Sequence, residues 1–181
     1  GEIEAKLGQH ELAMKLIIKA NELAGGNPDR LATLARLCVN LGQYVEAKKY
    51  VLEALRIFPE LTFLHDDLQK IPINASEAKE VLELVIPHVQ GDALTRLAVG
   101  LARPLIFLRQ FPLVADVVNC VVETLPENKQ KCGFLFNVAG ELLSMGAKNE
   151  AVAQLRRCLE IEPQYPGAGD LLIKIKTNLA A

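Results

Sequence analysis

The sequence predicts an all-α protein assembled as an array of antiparallel helix pairs. Three observations predict it. Apolar residues recur at helical spacing throughout, and no segment alternates strictly enough to form a strand. Half of the residues are hydrophobic, yet only 5% are aromatic and Trp is absent; this Ala/Leu/Val composition suits helices in close mutual contact. Finally, one phrase recurs. It reads LATLARLCVNLGQYVEAKKYVLEALRIFP at Leu31–Pro59 and LFNVAGELLSMGAKNEAVAQLRRCLEIEP at Leu135–Pro163.

The punctuation justifies the elements in order. Gly8 is expected to end a short first helix, and Glu11–Ala24 forms a second, stopped by Gly25-Gly26. Asn27-Pro28 supplies an N-cap and a first-turn proline for a helix to Leu41. Gly42 breaks it, and Tyr44–Phe58 follows, stopped by Pro59. A shorter helix near Leu61–Lys70 closes before Pro72. Asn74 with Glu77 has the spacing of a capping box and opens a helix that ends near Pro87. Gly91-Asp92 starts the next, Pro112 sits in the first turn of one that stops at Pro126, and Asn128–Met145 is broken by Gly146. Asn149–Glu162 and Asp170–Leu179 complete about eleven helices. No linker is long or polar enough to separate domains, so residues 1–181 are expected to form one continuous repeat domain. Its parts are a partial unit 1–27, a unit 28–60, degenerate units 61–91 and 92–127, a unit 128–164 and a capping helix 165–181.

The two phrases match slot by slot. Leu31, Leu34, Ala35, Cys38, Gly42, Ala47, Val51, Ala54 and Pro59 correspond to Leu135, Val138, Ala139, Leu142, Gly146, Ala151, Leu155, Cys158 and Pro163, always 104 residues apart. A partial copy (Gly8, Ala13, Ile17, Ala20) precedes them, with Ala13 34 residues before Ala47. Alanine where paired helices cross permits close approach, glycine makes the turn, and proline stops the second helix.

This pattern resembles the tetratricopeptide repeat (TPR) family, whose units are antiparallel helix pairs of about 34 residues. The resemblance implies a right-handed superhelical α-solenoid whose first helices line a concave groove. It weakens in the middle. There Leu94, Leu97, Ala98 and Leu101 occupy first-helix slots, followed by Pro104, about one extra turn, and a second helix with Ala115 and Pro126. Leu61, Leu64 and Leu68 resemble a first helix, with His65 where a small residue is expected.

The resemblance also implies which residues line the groove. They are Asp29, Ala32, Arg36, Val39 and Asn40 in one unit, and Thr95, Val99, Ala102 and Arg103 in another. Phe136, Asn137, Gly140, Leu143 and Ser144 come from the last, and Arg36 and Arg103 are the expected anchors. Some members of the family grip a C-terminal carboxylate with Lys, Arg and Asn at fixed slots. Asn137 fills one such slot, but the supporting Lys and Asn partners are missing, so that mode is not expected.

Little else points to chemistry. His10, His65 and His88 pair with no other His or Cys at metal-ligand spacing, and His65-Asp66-Asp67 reads as a solvated polar face. Cys38, Cys120, Cys132 and Cys158 read as free, small core residues; Cys120–Cys132, flanking a helix turn, is the one pairing worth testing. No phosphate loop or nucleophile–base pattern stands out, so neither enzyme activity, cofactor nor metal is expected. The 20 basic and 22 acidic residues form no basic stripe, which argues against nucleic acid and a membrane surface as partners.

No apolar run reaches the roughly 18 residues of a spanning helix. The start GEIEAKLGQHELA is charged and unlike a signal peptide. Gly1 in place of Met reads as the start of an excised piece, so the cytoplasm is a default and the periplasm the alternative. Asp92–Pro126 holds only six charged residues in a chain that is 23% charged, which fits covered central helices or an apolar patch for a partner or homodimer. The expected function is a non-catalytic scaffold that binds a protein or peptide in its groove. The alternatives are a substrate-recruiting repeat domain of a larger enzyme and a homo-oligomerisation module.

Overall fold

The computed structural model of the chain describes residues 2–24, 27–60 and 62–180. Among them are ten α-helices and no strand. They are α1 (Glu2–Ala24), α2 (Pro28–Asn40), α3 (Tyr44–Ile57), α4 (Thr62–Leu68) and α5 (Ala75–Val85), then α6 (Gly91–Phe107), α7 (Phe111–Thr124), α8 (Asn128–Ser144), α9 (Lys148–Ile161) and α10 (Ala168–Ala180). The helices group into two compact units, Gly1–Ile71 and Pro72–Ala181.

In the first unit, α1 runs through Gly8 without a break. A glycine inside a helix costs about 1 kcal/mol relative to Ala, too little to stop a helix whose flanks continue it. The two helices expected before Ala24 are therefore one. Asn27 caps α2 by accepting hydrogen bonds from the backbone N–H groups of Asp29 and Arg30 at 2.9 and 3.1 Å, with Pro28 opening the helix. Three residues join α2 to α3 and the helices pack together, so they run antiparallel. Leu31, Leu34, Ala35 and Cys38 meet Ala47, Val51, Ala54 and Leu55 in a core without solvent contact. α1 lies on α2, where the Cys38 thiol meets Met14 Sδ at 3.6 Å, and α4 packs on α2 and α3. Gly25-Gly26, Leu61 and the side chain of Leu64, all given roles by the sequence, lie outside the described residues.

The second unit opens with the expected capping box. Asn74 accepts from the Glu77 N–H at 2.9 Å, and Glu77 accepts from the Asn74 N–H at 2.8 Å. α6 packs on α7 and α8, α5 on α7, and α8 on α9. Leu135, Val138, Ala139 and Leu142 face Ala151, Leu155 and Cys158, all fully buried. α10 lies against α9, burying Ala168 and Ile175 while Lys174 and Lys176 reach solvent.

Three inter-helix turns share one geometry, and they correct the central register. Gly42, Arg109 and Gly146 adopt φ of +71°, +57° and +77°. The next residue in each turn donates back to a carbonyl in the helix: Gln43 to Cys38, Gln110 to Leu105 and Ala147 to Leu142, at 2.8 to 2.9 Å. This is the Schellman closure, with arginine in a glycine's place at Arg109. Arg109 lies 67 residues after Gly42. The same offset places Ala98, Leu101, Ala102 and Leu105 in the slots of Leu31, Leu34, Ala35 and Cys38, all buried. It also places Val114, Val118, Val121 and Pro126 in the slots of Ala47, Val51, Ala54 and Pro59. The sequence register was one helical turn early, and Ala115, expected at the close crossing, is exposed. Pro104 does not precede an extra turn; it is buried inside the last turn of α6.

Candidate functional site

The groove residues expected from the sequence divide by accessibility. Asp29, Arg36 and Asn40 on α2 are exposed and Val39 is half-buried, but Ala32 is only 1% exposed. On α6, Thr95 and Arg103 are half-buried, whereas Val99 (5%) and Ala102 (0%) are covered. Ala32, Val99 and Ala102 therefore present no surface to a partner. Ala102 holds the close-crossing slot in the corrected register, and the short Ala32 side chain lies on a helix flanked by α1, α3 and α4. On α8, Asn137, Gly140 and Ser144 are exposed, and Phe136 and Leu143 half-buried.

The two arginines expected as anchors are cross-links within their own units. Arg36 Nε donates to Asp67 Oδ2 on α4 at 2.7 Å, and Lys70 Nζ approaches the other oxygen at 3.6 Å. Arg103 donates from Nε and Nη2 to Glu141 Oε1 on α8 at 3.1 and 2.6 Å. In the corrected register Arg36 and Arg103 occupy the same slot, and each bridges to the first helix that follows. Asp67 and His65 are buried, so His65-Asp66-Asp67 is not a solvated face. Asp67 is turned inward to meet Arg36. Burial, partly offset by the Pro59 backbone carbonyl and by Asp66, pushes the His65 pKa below its ordinary value.

All four cysteines are free, as expected, and Cys38, Cys132 and Cys158 are buried. Cys120 donates to the Ala75 carbonyl at 3.2 Å, away from Cys132. Cys132 and Cys158, facing each other across α8 and α9, donate reciprocally to one another's carbonyls at 3.6 and 3.7 Å. Burial first, then the Cys132 neighbour, pushes Cys158 up to about 12. Such a thiol is a poor nucleophile and a good core residue. Among the described residues no group of three His, Cys, Asp or Glu side chains is placed to hold a metal ion, and no helix is long and apolar enough to cross a membrane.

Among the described residues, a concavity lies in the second unit, around Tyr165 in the turn after α9. One cavity of about 200 Å³ is lined by Asp92 and Thr95 of α6, Glu127 before α8, Lys129, Gln130, Gly133 and Asn137 of α8, and Tyr165. A second, of about 350 Å³, shares Lys129 and Tyr165 and adds Phe136, Glu162 and Pro166. The convergence centres on Gly133, where a Cβ would make ordinary contact with Thr95 Cγ2 at 3.4 Å and the Tyr165 hydroxyl at 3.5 Å. The Phe136 and Tyr165 rings meet tilted, with centroids 5.7 Å apart. Asn137 Nδ2 donates to the Gly133 carbonyl at 2.8 Å, which fixes the amide with its oxygen available. Burial, then the neighbouring thiols and the carboxylates of Glu162 and Asp92, raises the Tyr165 pKa and keeps its hydroxyl a neutral donor.

Thr95, Phe136 and Asn137 were expected at a binding face; Asp92, Gln130, Glu162 and Tyr165 were not. Tyr165 lies beyond the closing Pro163, outside every repeat slot. No periodic or motif signal marks it.

Two segments of the chain, 29–61 and 133–165, match the tetratricopeptide repeat family model. They begin 104 residues apart, the offset of the recurring phrase. Among solved structures the chain is similar to one in the crystal structure of the APC/C hetero-tetramer Cut9-Hcn1, at 18% identity and a TM-score of 0.38. That match covers 94% of this chain and 34% of the other, so the chain spans about a third of its length. It is also similar to TTC0263, a thermophilic TPR protein of Thermus thermophilus, at 19% identity and a TM-score of 0.34, covering 100% of this chain and 96% of that one. No curated protein matches the chain.

Proposed function

We propose that this chain, which carries tetratricopeptide repeats at both matched segments, is a non-catalytic scaffold that holds a peptide of a partner protein. One observation carries the reading. The accessible face of α6 and α8 opens into two adjoining cavities whose lining includes Thr95, Phe136 and Asn137. Each cavity is below or near the lower end of the ~300–1,000 Å³ typical of small-molecule sites, a size that suits successive side chains of a peptide. The polar groups there can meet a peptide backbone: Asn137 Oδ1 accepts an N–H, and the Tyr165 hydroxyl donates to a carbonyl. Selection of random displayed peptides on the whole chain tests this. The expected ligands lose at least about tenfold in affinity on Asn137→Arg, since a charged bulk would fill the face. Ligands that ignore this change, or the absence of any ligand, would overturn the proposal.

A second reading, self-association, is favoured by one feature. Phe107 and Leu108 at the end of α6 are 73% and 53% exposed, with Leu113 beside them on α7. An apolar cluster at one turn is a candidate contact between two copies. A concentration-dependent dimer that Phe107→Ser abolishes would support it, and a monomer throughout would exclude it.

A further inference from the structure

We infer that the peptide held at the second unit presents a cationic side chain, Arg or Lys, to the cavities around Tyr165. This deepens the scaffold reading and rests on it. Charge is the first argument. Asp92, Glu127 and Glu162 line the two cavities against a single Lys129. Among the described residues none of the three carboxylates makes an ion pair or a side-chain hydrogen bond.

Aromatic surface adds to charge independently. Phe136 and Tyr165 form one wall of the larger cavity, where a planar cation stacks favourably on a ring face. An anionic side chain would meet repulsion from the carboxylates, and a purely aliphatic one would leave them without a counter-charge. Arginine fits both features, since it reaches several acceptors at once while stacking.

The test uses the whole chain, labelled with ¹⁵N, and three pools of capped heptapeptides with random flanks and a fixed central Arg, Leu or Glu. The Arg pool is expected to move the amide resonances of Asp92, Thr95, Gln130 and Asn137 at about tenfold lower concentration than the other two. The double variant Asp92→Asn, Glu162→Gln, checked for unchanged helicity, is expected to lose that preference. Equal potency of the Leu or Glu pool at those amides, or an Arg preference that survives the double variant, would overturn the cationic assignment and leave the scaffold reading standing. No movement of those amides with any pool would overturn both.

Discussion

Arg103 on α6 grips Glu141 on α8 through two nitrogens on one carboxylate oxygen, and Arg36 repeats that slot in the first unit, gripping Asp67 on α4. The same residue type at the same register position thus ties successive first helices together in each unit. The bridges differ in burial, and burial sets what each contributes. The Asp67 side chain is 5% exposed, whereas that of Glu141 is 32% exposed.

Arg36→Ala leaves the buried Asp67 carboxylate with only Lys70, at 3.6 Å, beside it, and is expected to cost about 1–3 kcal/mol, less than a fully buried pair because Arg36 itself is half-exposed. Arg103→Ala is expected to cost under about 1 kcal/mol, since both partners remain solvated. Urea denaturation of the two variants checks the order. Equal losses would contradict it.

The α6–α7 turn places a side chain where its counterparts have none. Arg109 holds φ at +57° and donates from Nη2 to the Met145 carbonyl at 3.2 Å. Arg109→Gly is expected to be about 1 kcal/mol more stable than Arg109→Ala, because only glycine is unstrained there. Gly146→Ala is expected to lose about the same amount. Gly140→Ala, in open space on a helix, is expected to gain roughly 0.5–1 kcal/mol.

The α5 capping box satisfies two backbone donors reciprocally. Asn74→Ala is expected to lower stability by about 1 kcal/mol, while Asn74→Ser keeps most of it. Thermal unfolding of the two variants makes the comparison.

His65 and Cys158 contribute to the pH response in opposite directions. Burial holds the folded-state pKa of His65 below its ordinary 6.5, so the unfolded chain takes up that proton first. Its stabilisation is complete above 6.5 and is lost as pH falls below it. Urea midpoints between pH 7 and 5 are expected to fall, and His65→Gln to flatten the slope. Cys158 acts oppositely. Its folded value near 12 exceeds the ordinary 9.0, so its contribution is complete below pH 9 and is lost as pH rises toward 12. Cys158→Ala is expected to remove that alkaline loss.

Residues with a repeating structural duty were legible in the sequence. Ala35, Ala47, Ala139 and Ala151 are at the crossings they were assigned, without solvent contact, because a small residue at a helix crossing has one reason to be there. The central unit was misregistered because Arg109 performs a glycine's task, held by the Met145 carbonyl, and arginine carries no turn signal. Ala32 and Val99 were misplaced because a helical slot gives a direction, while burial depends on which neighbours stand there. Gln130 and Tyr165 were illegible because convergence around Gly133 depends on where the chain goes after Pro163. The recurring phrase described construction; the proposed site draws Phe136, Asn137 and Glu162 from within it and Asp92, Gln130 and Tyr165 from outside it.

The face of α6 and α8 beside Tyr165 is proposed to hold a peptide. Intermolecular nuclear Overhauser effects between a selected peptide and the whole chain test it most directly. Contacts are expected from the peptide to the Phe136 and Tyr165 rings and to the Asn137 side-chain amide. Contacts confined to the second helices α7 and α9, with none to those three residues, would contradict it.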